Sequence, residues 1–140
     1  QVTDKALPTV GPVEAGKGPK VTIPKSDPPG DLRAEVLIEG TGPVTTKNDT
    51  VLVKYKGINW RDGKEFDTTW DDSSLAPFPL NTTDGMKGFF QSLQGKKIGS
   101  RVLLVIPPED GYGKDGNPQA GIKGTDTTVF VVDILGTSPK

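Results

Sequence analysis

The chain contains no histidine and no cysteine. That removes Ser-His-Asp and Cys-His catalysis, the usual zinc sites, thiol redox chemistry and disulfide pairing. Among the groups that remain, two tyrosines stand out. Tyr55 lies in "VKYKG", and Tyr112 lies in "IPPEDGYGKDGNP", between Gly111 and Gly113. That second stretch holds three prolines and three glycines in thirteen residues, which makes it a loop of turn-formers around one large aromatic. A tyrosine offers an apolar body for packing and a single hydroxyl for a directed hydrogen bond. Asp67 follows Phe66 in "DGKEFDTTW" and on its own could simply cap a turn. Taken singly, Phe66, Phe89 and Phe130 read as core residues and Tyr55 as an amphipathic strand residue. Met86 reads as a gap-filler, and Trp70 as either a partner-facing loop residue or one that packs on the domain.

The elements that must hold these residues follow from periodicity. Residues 32–40 partly alternate and stop at a glycine. Residues 49–60 put Val51, Val53 and Tyr55 on one face and Lys54 and Lys56 on the other. Asp62-Gly63 supplies a turn. Residues 100–108 form an apolar run stopped by Pro107 and Pro108, and residues 127–136 read as a closing strand buried on both faces over part of its length. In "DGMKGFFQSLQG" the period changes. Met86, Phe89, Phe90 and Leu93 fall at i, i+3, i+4 and i+7, a helical stripe ended by Gly95. The expected fold is therefore α+β, with about five antiparallel strands covered on one face by a single short helix.

With 140 residues the chain makes one domain of ordinary size with a tail. Residues 1–30 are rich in Pro, Gly and charge and read as a leader or linker, and residues 31–138 as the folded domain. Within the leader, "KVTIP" at 20–24 is suited to an extra edge strand, because its flanking proline cannot serve in a sheet interior. A net charge of −1 argues against nucleic acid or an anionic membrane as partner. No run approaches eighteen apolar residues, so no transmembrane segment is expected.

Three segments read together resemble an FKBP-type peptidyl-prolyl isomerase. They are "VKYKG" with "DGKEFDTTW", then "PFPL" with "GMKGFFQSLQGKKIGSR", then "LLVIPPEDGYGKDGNP" with "VFVVDIL". The resemblance runs from about residue 32 to 135. It implies a twisted antiparallel sheet wrapped around the helix, with an apolar cleft between them that accepts a proline ring. Carried onto this chain, it implies Tyr55, Asp67, Tyr112 and Phe130 as catalytic residues, and Phe66, Phe78, Met86, Phe89 and Ile122 as substrate-binding ones. The Asp67 carboxylate would sit beside the Tyr55 hydroxyl, and Phe89 would floor the pocket. The Met86 backbone N–H and the Tyr112 hydroxyl would donate to substrate carbonyls.

The implied reaction needs no nucleophile, cofactor or metal. The implied partners are proline-containing polypeptides and macrolides of the rapamycin type, and the implied state is a monomer. Four positions depart from the family's usual pattern. Phe89 stands where Trp is common, Gly85-Met86 where Val-Ile is usual, and "GNP" where "GHP" is frequent, and one residue is added between Ile122 and Phe130. The smaller floor and the glycine also fit a second reading, a proline-peptide-binding or chaperone module with little turnover. The leader is similar to the linker of exported, lipid-anchored bacterial members, which implies an extracytoplasmic protein held through a lipidated cysteine upstream of Gln1.

Overall fold

The computed structural model describes residues 8–14, 18–24, 27–70, 75–81 and 87–137. In chain order the elements are β1 (Thr9–Glu14), β2 (Gly18–Thr22), β3 (Arg33–Ile38), β4 (Thr50–Asn59), β5 (Glu65–Thr68) and β6 (Ala76–Pro79). Helix α1 (Lys87–Ser92), β7 (Arg101–Ile106) and β8 (Thr128–Thr137) follow. Two single-turn 3-10 helices, Pro108–Asp110 and Pro118–Ala120, lie in the loop between β7 and β8. Strands β3-β7-β8-β4-β5 form one sheet in that order, with β6 also paired to β4, and every pairing is antiparallel.

The expected α+β architecture is the observed one, with a sixth strand in the main sheet. That strand, "APFP", has Pro77 and Pro79 opposite Leu52 and Thr50. Proline cannot donate to a ladder, which confines such a segment to an edge. β6 accordingly pairs with β4 alone. It occupies one half of that strand's edge while β5 takes the other half.

Strand alternation divides the core into two layers. On one face Val51, Val53, Val102, Leu104, Ile106, Phe130, Val132 and Ile134 pack with Leu80, Phe89 and Leu93 beneath α1. On the other face Ile58, Trp60, Leu103, Val105, Val129 and Val131 form a second cluster. Both faces are dry, which is why β7 reads "RVLLVI" without alternating. The second layer is covered partly by Val10, Val21 and Ile23 from the segment expected as a leader. The strand expected at 20–24 is β2. It pairs antiparallel with β1 as a separate two-stranded sheet and not along an edge of the main one. Leu37 and Trp70 also pack on this layer, so Trp70 belongs to the domain's own surface.

Helix α1 is short because its end tightens. The N–H groups of Leu93 and Gln94 donate three residues back, to Phe90 and Gln91, and Gly95 takes φ +72°. Its stripe buries Phe89 and Leu93 and leaves Phe90 half-buried. Gly88 lets the helix meet the loop after β7. A Cβ at this glycine would lie 2.9 Å from the Asp110 Cβ and carbonyl oxygen. Among the described residues, no helix is long and apolar enough to cross a membrane.

Candidate active site

Tyr55 lies where β4 changes partner, between the stretch paired with β6 and the stretch paired with β5. Its backbone is held there by Thr69. The Tyr55 N–H donates to Thr69 Oγ1 at 2.9 Å, and the Thr69 N–H donates to the Tyr55 carbonyl at 2.9 Å. The side chain points to the α1 face with Val51 and Val53, and its hydroxyl donates to Asp67 Oδ2. Asp67 reaches that position because β5 pairs Asp67 opposite Gly57, two residues beyond Tyr55. Burial first, and then the bond to Asp67, push the Tyr55 hydroxyl pKa well above its usual value, so it stays a donor at any physiological pH.

Aromatic rings build the rest of the site. Phe89 is 3% exposed and stands at the hub, 5.0 Å from Phe130, 5.1 Å from Phe78, 5.5 Å from Phe90 and 6.2 Å from Tyr55, ring centre to ring centre. Interplanar angles of 73–82° make these edge-to-face contacts, the arrangement that ring quadrupoles favour. Above the hub is a cavity of about 160 Å³ lined by Tyr55, Asp67, Phe78, Phe89, Phe90, Tyr112 and Phe130. It is an apolar bowl with one carboxylate and two hydroxyls on its wall.

Tyr112 is braced from several directions. The Gly113 N–H donates to the Pro108 carbonyl at 2.7 Å. At Gly116 and Gly124 the backbone of the loop passes too close to its own return path for any side chain. Asn117 and Ile122 exchange backbone hydrogen bonds of 2.8 and 2.9 Å across the loop. Asp126 accepts from Arg61 Nε at 2.9 Å, from Asn59 Nδ2 at 2.9 Å and from the Lys123 N–H at 2.8 Å, which ties the loop's end to β4. Burial alone would raise the Asp126 pKa, but these donors hold it down at about 2. The Phe66 ring meets Tyr112 edge-on at 6.2 Å and Phe130 at 5.6 Å.

The structure brings together Tyr55, Asp67, Phe78, Phe89, Tyr112 and Phe130 around one cavity. Phe66 and Ile122, expected in the lining, do not border it. Phe66 buttresses Tyr112 and Phe130 from outside, and Ile122 is buried at 2% exposure beneath the loop. Met86 lies outside the described residues, as does Gly85. Phe90 lines the cavity without having been expected to, although the helical stripe had already placed it on the same face as Phe89.

Comparison with known proteins agrees with this geometry. Residues 42–135 match the family described as FKBP-type peptidyl-prolyl cis-trans isomerase. An FK506-binding protein of Streptomyces anulatus is 36% identical over 117 residues, covering 84% of this chain and 94% of that protein. The isomerase FkpA of Escherichia coli is 41% identical over 106 residues, which span 75% of this chain and 37% of FkpA. The crystal structure of a peptidyl-prolyl cis-trans isomerase from Pseudomonas syringae superposes with a TM-score of 0.66 at 30% identity, covering 77% of this chain and 76% of that one. The chain belongs to the FKBP-type peptidyl-prolyl cis-trans isomerase family.

Proposed function

We propose that the aromatic bowl takes the ring of a substrate proline and speeds rotation about the preceding amide bond. The observation that carries this reading is the cavity itself. About 160 Å³ is well below the roughly 300–1,000 Å³ of sites that enclose drug-sized ligands, so it suits one small ring with the chain running across the rim. Edge-to-face walls hold such a ring by packing and offer it no competing polar partner.

Rotation faces a barrier of roughly 18–20 kcal/mol, because amide resonance is lost midway. Left alone, an X–Pro bond exchanges in tens to hundreds of seconds. The twisted amide is less polar than the planar one, so a water-poor, apolar bowl favours it relative to the ground state. A hydroxyl aimed from the rim at the turning carbonyl adds stabilisation that the planar form does not receive. Tyr112 is that donor. The Tyr55 hydroxyl is already committed to Asp67, so its part is to fix the wall and the carboxylate.

The substrates are proline-containing polypeptides in extended or unfolded form. A macrolide of the FK506 or rapamycin class would place only its ring-like portion in the bowl, with the phenylalanine floor limiting contact. The protein acts as a monomeric folding helper outside the cytoplasm, held by a lipid anchor. The similarity of its leader to linkers of exported relatives supports that location, and a lipobox in the precursor gene would test it.

The activity is tested by NMR exchange or a protease-coupled assay on an X–Pro tetrapeptide. Exchange well above background at micromolar protein is expected. Tyr112→Phe should lower kcat/KM about three- to tenfold, the value of one hydrogen bond of roughly 0.5–1.5 kcal/mol. Exchange at the background rate would leave the cleft a binding module and end the enzymatic reading.

A further inference from the structure

Phe89 and Leu93 of the helical stripe are buried, but Phe90 between them is only half-buried and borders the cavity. Its ring is nevertheless fixed. It stands edge-to-face on Phe89 at 5.5 Å and on Phe78 at 5.7 Å, with interplanar angles of 79° and 81°. Phe78 and Phe89 meet each other at 5.1 Å, so the three rings close a triangle. Just past the helix, Gln94 Nε2 donates to the carbonyl of Leu80, the residue after β6, at 2.9 Å. The strand carrying Phe78 and the helix carrying Phe90 are thus tied together without any ligand. An aromatic surface that is preset and partly open to solvent needs little further ordering when a ligand meets it.

Phe90 and Tyr112 border the same cavity from opposite ends of one chain of rings. Tyr112 meets Phe66, Phe66 meets Phe130, Phe130 meets Phe89, and Phe89 meets Phe90. Among the described residues, no ring contact joins Phe90 directly to Tyr112. An extended chain whose proline fills the bowl has its preceding carbonyl at Tyr112. The residue after the proline leaves the ring on the other side, towards Phe90. A cavity of about 160 Å³ takes one small ring, so this second side chain rests on the rim.

We infer that Phe90 is a specificity-determining residue, whose ring receives the side chain that follows the substrate proline and selects an aromatic or large aliphatic one. This rests on the reading of the bowl as the proline site and of Tyr112 as the donor to the preceding carbonyl. A phenyl ring offers dispersion and quadrupole contact but no hydrogen bond, so small or acidic side chains gain little there.

The test is NMR exchange, which needs no protease and leaves the residue after proline free to vary. One peptide series places Phe, Leu, Ala or Asp after the proline, with alanine before it. A second series varies the residue before the proline, with alanine after it. For the parent, kcat/KM should be about three- to tenfold higher with Phe than with Ala after the proline, the worth of one edge-to-face contact. In Phe90→Gln that ratio should fall below about twofold. Phe90→Leu, which keeps apolar bulk without the ring, should give an intermediate ratio, and Phe90→Tyr should restore the parent's. Each ratio is taken within one variant, so a general loss of activity or of folded protein cancels. A parent with no preference after the proline would overturn the inference. So would a preference that survives both Phe90→Gln and Phe90→Leu, or an effect of these variants confined to the second series. Dissociation constants from chemical-shift titration of the same peptides give the ratio independently of turnover. Should exchange stay at background while a Phe-over-Ala binding preference disappears in Phe90→Gln, the isomerase reading fails and the role of Phe90 stands.

Discussion

Gly57 sits on β4 facing the two rings that hold the rim and floor of the bowl. A Cβ at this position would lie 2.8 Å from Phe66 Cζ and 2.9 Å from Phe130 Cε1. Carbon atoms in ordinary contact are about 3.5–4.0 Å apart, so each ring must retreat by at least about half an ångström in Gly57→Ala. Overpacking of this kind costs roughly 1–3 kcal/mol. The substitution also removes glycine's extra freedom in the unfolded chain, which offsets about 0.5–1 kcal/mol. The net expectation is a loss of about 0.5–2 kcal/mol in stability. Function should suffer more than that. Phe66 props Tyr112 and Phe130 touches Phe89, so both the hydroxyl donor and the pocket floor shift together. A misplacement of about 1 Å can cost a hundredfold, which makes a tenfold fall in kcat/KM reasonable here. Urea unfolding gives the first quantity and tetrapeptide exchange the second. Gly136→Ala is the control, because a Cβ there meets nothing within 4 Å. It should be neutral or slightly stabilising, with full turnover. If Gly57→Ala matched the parent in both measurements, the account of the cleft as a set of mutually braced rings would be wrong.

Phe66→Ala removes the buttress without opening the bowl directly. It should lower stability by about 2–3 kcal/mol, less than a fully buried phenylalanine, and reduce turnover as Tyr112 loses its support. Unchanged turnover on the tetrapeptide would mean that the loop alone fixes Tyr112. For Asp126, the folded pKa of about 2 lies below the ordinary 3.8. Its stabilisation is therefore complete above about pH 4 and is lost as the pH falls towards 2. Because the Arg61 side chain is 43% exposed, the contribution is roughly 1–2 kcal/mol and not the full value of the shift. Urea midpoints between pH 5 and 2 should fall less steeply in Asp126→Asn than in the parent, and equal slopes would refute the assignment.

Much of this arrangement was legible in residue order. Alternation in β4 put Tyr55 on the face of Val51 and Val53, and the stripe in "GMKGFFQSLQG" located the helix and its buried Phe89. Other parts were hidden for identifiable reasons. The segment "APFP" looks like a loop because its prolines cannot donate, yet an edge strand needs few donors on that side. The β1-β2 hairpin was masked by Pro and Gly, which dominate composition while Val10, Val21 and Ile23 do the packing. The clue lay elsewhere, in β7. A strand that is apolar at every position after Arg101 needs two covers, and the helix supplies only one. Phe66 meets two of the lining rings and Ile122 is buried in the loop, and matching positions along a chain does not say which atom reaches the cavity.

The hairpin on the second face also bears on the order in which the molecule can assemble. β1 and β2 leave the ribosome before the main sheet, but the cluster they cover includes Val129 and Val131 of β8, the last of the described strands. That strand is also the one on which β4 and β7 pair, at the centre of the sheet. Closing both layers therefore waits for β8, and the contacts that close the second join β1 and β2 to a strand more than a hundred residues later. Topologies of this kind fold slowly, because loop-closure entropy is lost before the distant contacts repay it. Until then the apolar faces of β7 and β4 are open to neighbouring chains. A protein proposed to help others through slow folding steps has a demanding one of its own.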